Sequence, residues 1–163
     1  MGEERETLTW PLFGEATQAL ARDIAGSGFV PDVVLAIARG GLTVAGALAY
    51  ALGVKNCCSI NVEFYTGVDE RLPVPVVLPP SLDLVDVRGL KVLVADDVAD
   101  TGQTLALVLS MLTEEKVEAR GAVLYQKPQS IVDVDHVWRS TSRWITFPWS
   151  AEPPVTMASA APA

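Results

Sequence analysis

VLVADDVADTGQT, residues 92–104, passes from an apolar run into two adjacent aspartates, then a third, then Thr-Gly. Neighbouring carboxylates repel each other and favour neither helix nor strand. Their place directly after a core-type run therefore points to a ligand rather than to packing. Val92 to Ala95 read as a strand entering the core, with Asp96 and Asp97 expected where it emerges. Carboxylates at a strand end can accept hydrogen bonds from two vicinal hydroxyls or hold a divalent cation through water. Ala99, Asp100, Thr101, Gly102, Gln103 and Thr104 then turn into a helix. Small residues let amides approach an anion closely, and a new helix N-terminus supplies unpaired donors with a partial positive charge. One end of the segment suits sugar hydroxyls and the other a phosphate; a phosphorylated ribose carries both. The plain alternative is a strand-to-helix turn with Asp100 as its cap. No Walker A loop (GxxxxGK[ST]) and no GxGxxG fingerprint occurs in the chain.

The surrounding sequence predicts strands alternating with helices. VVLAI, 33–37, is a continuous apolar run that suits a strand covered on both faces. ARGG follows, then a helix over 43–52 stopped by Gly53. Ala16, Ala19, Leu20 and Ile24 recur at helical spacing and place a first helix over 14–27. Strands are expected over 58–65 and 121–126, and a helix over 103–114. The stretch 66–89, with Pro73, Pro75, Pro79 and Pro80, reads as a long loop that is functional or carries a small hairpin. This order implies an α/β fold with a mainly parallel central sheet. Ligands of such sheets sit beyond the carboxyl ends of the strands, so ARGG and DDVADTGQT share one rim.

The chain has 163 residues, half of them apolar, which is one domain with a real core. Its formal charge of −8 argues against nonspecific binding to nucleic acid or to anionic membranes. The longest apolar stretch, Leu42 to Val54, is too short to span a bilayer. Cys57 and Cys58 are adjacent, a poor geometry for a disulfide, and are expected to be reduced, buried and cytoplasmic. The single histidine, His136, is expected to be solvated or capping; Trp10 and Trp138 are expected to pack, and Lys116 and Arg120 to be surface charges.

The 92–104 segment resembles the phosphoribosyl-pyrophosphate (PRPP) signature of the type I phosphoribosyltransferases: an apolar run, two acids, a short linker, then Thr-Gly and Thr. Ala38-Arg39-Gly40-Gly41 resembles that family's pyrophosphate loop, which implies a cis peptide at Ala38-Arg39. Lys127, just past a strand, and Arg143-Trp144-Ile145 resemble the base-binding hood of the short bacterial 6-oxopurine enzymes, the xanthine-guanine and hypoxanthine phosphoribosyltransferases. The resemblance implies the type I phosphoribosyltransferase fold, with one domain over 1–152. Its core would cover about 10–128, its small C-terminal hood about 129–150, and a flexible tail 153–163.

By that resemblance, Asp96 and Asp97 hold the ribose hydroxyls and Mg2+. Arg39, Gly40 and Gly41 bind pyrophosphate, and residues 99–104 cradle the 5-phosphate. Asp100 is the general base, Lys127 meets the 6-oxo oxygen, Trp144 stacks on the purine, and Ile145 adds backbone contacts. Tyr65 would begin a closing loop. The implied partners are PRPP and a nucleobase in a homodimer or homotetramer, with no nucleic acid or membrane. Three departures stand out: Phe64 precedes Tyr65 where the family usually has serine, Ser150 follows Trp149 where the hood often ends in aspartate, and the proline-rich segment 72–82 is unlike the short bacterial enzymes. Two other readings stay open, a different nucleobase acceptor and a regulatory protein that binds PRPP without turnover.

Overall fold

A computed structural model of the chain describes residues 4–65, 74–78 and 84–156. The tail beyond 156, and much of the loop expected over 66–89, lie outside these residues. Eight strands and three helices are described: β1 (Arg5–Thr7), α1 (Trp10–Gly26), β2 (Val33–Ile37), α2 (Gly40–Leu52), β3 (Cys57–Tyr65), β4 (Val74–Leu78), β5 (Lys91–Ala99), α3 (Gln103–Glu114), β6 (Glu118–Gln126), β7 (His136–Ser140) and β8 (Trp144–Thr146). The central sheet has the order β4-β3-β2-β5-β6-β7. Its pairings are parallel except at the edge, where β4 runs antiparallel to β3 and forms the hairpin arm.

Alternation along the strands divides the core in two. Val34, Ala36, Leu93, Ala95, Ala122 and Leu124 face one side, where α1 and α2 cover them with Ala16, Leu20, Ile24, Val44 and Leu48. Val33, Leu35, Ile37, Val92, Val94 and Val123 face the other, where α3 brings Leu105, Val108 and Leu112. All five residues of β2 are buried, which explains its unbroken apolar run. Cutting one of these leucines to alanine costs about 2–5 kcal/mol through lost transfer energy and the cavity left behind.

Local signals account for the helix ends. Thr9 caps α1 by accepting from the Leu12 amide at 3.3 Å, and Pro11 occupies the first turn, where its missing N–H costs nothing. The helix therefore starts at Trp10, earlier than the apolar periodicity alone predicts, and Ala19 lies exposed on it. Gly53 stops α2 in the left-handed conformation, φ 69°. At the other end α2 begins at Gly40, so both glycines of ARGG belong to its first turn.

Two expectations fail. Cys57, at the first residue of β3, is exposed rather than buried, because it sits at the sheet's amino-terminal margin. Cys58 is half-buried, and burial followed by the neighbouring Cys57 pushes its thiol up to about 11, so it stays protonated and poorly nucleophilic. His136 is buried, not solvated: it opens β7 beneath α1, where its Nδ1 lies 2.6 Å from Asp23 Oδ2. Arg120 is a surface charge as expected, and its guanidinium lies over the Phe29 ring at 4.7 Å to the centroid.

A second, two-stranded sheet stands beside the main one. β1 pairs in parallel with β8, Glu6 opposite Ile145, so the first strand walls the same region as the last. Trp10, Phe13, Phe147 and Trp149 close this corner with ring contacts; Phe147 and Trp149 stack at 5.0 Å. Trp138 packs edge-on against the buried Tyr125.

Candidate active site

Parallel pairing places the chain exits of β2, β5 and β6 on one rim. Ala36 lies opposite Ala95 and Ala99 opposite Gln126. Chain leaving β2 therefore arrives beside Asp97, and chain leaving β6 arrives beside Asp100.

The β2 exit is built on close approach. The Ala38-Arg39 peptide is cis. A Cβ at Gly40 would lie 2.0 Å from Asp97 Oδ2, and one at Gly41 would lie 2.4 Å from the carbonyl oxygen of Ala95. Neither contact leaves room for a side chain, so the glycines serve proximity, bringing the N-terminus of α2 against β5. That terminus offers amides and the Arg39 guanidinium to an anion.

Asp96 and Asp97 lie within β5 rather than past its end. The Asp97 amide donates to Asp96 Oδ1 at 2.8 Å. Burial, and then the Asp97 charge, holds the Asp96 carboxyl well above the ordinary carboxylate range. Burial also raises Asp97, against hydrogen bonds from Asp96, the Val98 amide and the Trp149 indole. Two half-buried carboxylates that cannot both ionise comfortably form a site that a cation or a pair of hydroxyls would relieve. Among the described residues no group of three or more His, Cys, Asp and Glu forms a metal cage. Any cation at this pair would take its other oxygens from water and substrate, as Mg2+ tolerates.

Beyond the pair, Ala99 is buried, and its carbonyl accepts from the Lys127 amide at 3.0 Å. Asp100 and Thr101 are exposed. Gly102, not Asp100, is the N-cap of α3, in the left-handed conformation with φ 77°. A Cβ there would meet Ser130 Oγ at 2.5 Å, so the turn needs glycine for both angle and space. The Ala106 amide donates to Gly102 O at 2.9 Å, which leaves the earlier turn amides outside the helix ladder. Thr104 is half-buried in the first turn, and Gln103 is exposed.

Two cavities meet on this rim. One, about 840 Å³, is lined by Asp100, Lys127, Gln129, Arg143, Trp144 and Ile145, among others. Lys127 is 8% exposed, and its Nζ donates to the Arg143 carbonyl. Trp144 is 63% exposed, a bare aromatic face on the cavity, whereas Ile145 is buried in β8. The other cavity, about 1020 Å³, takes Arg39, Gly40, Thr43, Asp97 and Trp149. Ser150 and Ala151 line both. Of the predicted residues, Arg39, Gly40 and Asp97 line one cavity and Asp100, Lys127, Trp144 and Ile145 the other, while Gly41, Asp96, Ala99, Thr101, Gly102, Gln103 and Thr104 line neither. Tyr65 ends β3, next to the 66–73 stretch outside the described residues, where the closing loop was expected.

Sequence reasoning missed Gln129, whose Nε2 donates to Asp100 Oδ1 at 2.6 Å, and Glu4, which pairs with Arg143 at 2.8 Å across the cavity wall. The only signal for Gln129 was a polar residue two positions after Lys127 on the same rim. Glu4 carried none, because its partner is set by the β1–β8 pairing.

The sequence and fold have counterparts among known proteins. A family model described as "Phosphoribosyl transferase domain" matches residues 5–155. The xanthine-guanine phosphoribosyltransferase of Ruegeria sp. (strain TM1040) is 32% identical over 153 residues, covering 87% of this chain and 83% of that protein. That of Gluconobacter oxydans (strain 621H) is 30% identical over 149 residues, covering 90% and 85%. Among solved structures, the purine phosphoribosyltransferase from Pyrococcus horikoshii Ot3 superposes with a TM-score of 0.82 at 36% identity, covering 93% of this chain and 98% of that one. The Helicobacter pylori xanthine-guanine-hypoxanthine enzyme shares the fold, with a TM-score of 0.76 at 23% identity over 90% and 94% of the two chains. With the family match running over residues 5–155, the chain belongs to the type I phosphoribosyltransferase family.

Proposed function

We propose that the protein transfers the 5-phosphoribosyl group of PRPP to a ring nitrogen of a 6-oxopurine (xanthine, guanine or hypoxanthine), releasing pyrophosphate, as in purine salvage. One observation carries the reading: a buried lysine and a bare tryptophan face share a cavity with Asp100, and that cavity adjoins the one lined by Asp97 and Arg39. A flat base with a carbonyl oxygen suits the first cavity, and a phosphorylated sugar leaving pyrophosphate suits the second. The names of the Ruegeria, Gluconobacter and Pyrococcus relatives agree with a purine acceptor.

Each residue then has a physical task. Thr101, Thr104 and the amides of the turn before α3 bind the 5-phosphate. Asp96 and Asp97 hold the ribose hydroxyls and would hold Mg2+, which neutralises the departing pyrophosphate when bound. Arg39 and the first amides of α2 take the pyrophosphate oxygens. Positive charge develops on the sugar carbon as that group leaves, and the nearby carboxylates favour it. Lys127 donates to the 6-oxo oxygen while Trp144 stacks on the ring and the Ile145 backbone meets its edge. Asp100 stands on the base side and takes the purine proton.

The test is turnover. Purified protein with PRPP and Mg2+ is incubated separately with xanthine, guanine, hypoxanthine, adenine, uracil and orotate, and nucleotide is read by mass spectrometry. Product from a 6-oxopurine is the expected result. Product from adenine or a pyrimidine alone would move the acceptor, and PRPP binding without product from any base would favour a regulatory protein.

A further inference from the structure

The turn after β6 does more than present Lys127. It is tied to the β5–α3 turn by three successive bonds. The Lys127 amide donates to Ala99 O at 3.0 Å, and the Ile131 amide donates to Thr101 O at 2.8 Å. Between these backbone rungs Gln129 Nε2 donates to Asp100 Oδ1 at 2.6 Å. The turn is also closed on itself by the Ser130 amide on Lys127 O at 3.0 Å and by Ser130 Oγ on Val132 O at 2.9 Å. Ser130 Oγ fills the space that a Cβ at Gly102 would need. A solvent-facing glutamine on a free loop would sample many rotamers, and its hydrogen bond would be weak in effect. Here the main chain on both sides of each partner is already fixed, so little further freedom is lost in forming the middle rung.

We infer that Gln129 is a positioning residue for Asp100, fixing one carboxylate oxygen so that the other faces the base cavity. The inference rests on the reading of Asp100 as the group that takes the purine proton. A carboxylate oxygen committed to an amide donor leaves its twin as the free acceptor for the purine proton. One five-residue turn thereby sets three things together: the lysine facing the base, the carboxylate facing its proton, and, through Ser130 on Gly102, the turn for the 5-phosphate.

The experiment is a double-mutant cycle with a 6-oxopurine acceptor. Gln129→Met keeps the length of the side chain and removes its donor. It is expected to lower kcat about tenfold, a fraction of what general-base catalysis contributes, with KM for PRPP and the melting temperature unchanged. In the Asp100→Ala background, with residual turnover read in long single-turnover incubations, the same change is expected to have no further effect, because no carboxylate remains to be oriented. A Gln129→Met protein with wild-type kcat overturns the inference, and so does an equal loss in both backgrounds. Wild-type protein that makes no nucleotide from any base overturns the proposed function and this inference with it; turnover in the wild type with an undiminished kcat in Gln129→Met overturns the inference alone.

Discussion

Asp97 and Asp100 stand three residues apart in one segment and face different cavities. Asp97 lies in the strand, half-buried, pressed against Gly40 and beside a second carboxylate. Asp100 lies past the strand, exposed, with one oxygen held by Gln129. The side chain is the same and the environments are opposite. Under the proposed function the carboxylate raised by burial receives a cation or hydroxyls, and the exposed one, with one oxygen on an amide donor, takes the purine proton. The boundary between the two is the end of β5 at Ala99, whose carbonyl is already committed to Lys127.

The largest effect expected along this contrast is on turnover. Asp100→Asn should lower kcat by about 100-fold or more, in the range for loss of a general base. Its melting temperature should stay near wild type, since exposed substitutions typically stay within about 0.5 kcal/mol. A strongly destabilised Asp100→Asn protein would erase the distinction from Asp97.

Gly41→Ala probes the buried side. Its Cβ would meet the main-chain carbonyl of Ala95, which cannot swing away as a side chain could. A loss of about 1–3 kcal/mol by chemical denaturation is expected from overpacking, and weakened PRPP binding with it.

Trp144→Ala probes the open side. The ring is bare in the absence of ligand, so stability should change little. KM for the base should rise about tenfold, matching the roughly 1–3 kcal/mol of a stacked base. An unchanged KM would remove Trp144 from the base site.

The subtlest expectation concerns pH. In the ligand-free protein the folded-state pKa of Asp97 is raised by burial, and that of Asp96 by burial and by Asp97. A raised folded pKa means stability that is fully present below the unfolded value of about 3.9 and lost as pH rises through the folded value. Asp97→Asn removes one member of the pair. Without ligand it should melt higher than wild type at neutral pH, and the gain should shrink as pH falls into the acid range. A constant difference across pH, read by thermal melts, would mean the pair is not strained.

The alternating strands and helices were legible from periodicity alone, because VVLAI and VLVA have the composition of strands buried on both faces. Helix α3 was read at its observed ends, since the Thr-Gly turn marks its start. The start of α1 was not, because its cap, Thr9, precedes the apolar pattern that signals the helix. His136 was misread for a related reason. A single histidine carries no pattern, and its burial depends on Asp23 of a helix 113 residues away in sequence.

The order of residues by itself determined the core strands and helices from α1 to β6 and the shared rim of ARGG and DDVADTGQT, because periodicity and glycine placement are local properties of a chain. Only the tertiary structure decided which groups meet. It set Gly40 against Asp97, Gln129 on Asp100, and the first strand beside the last. Those contacts depend on strand order and register, which hold distant segments within a few ångströms. No local pattern of side chains records which distant residue will arrive there.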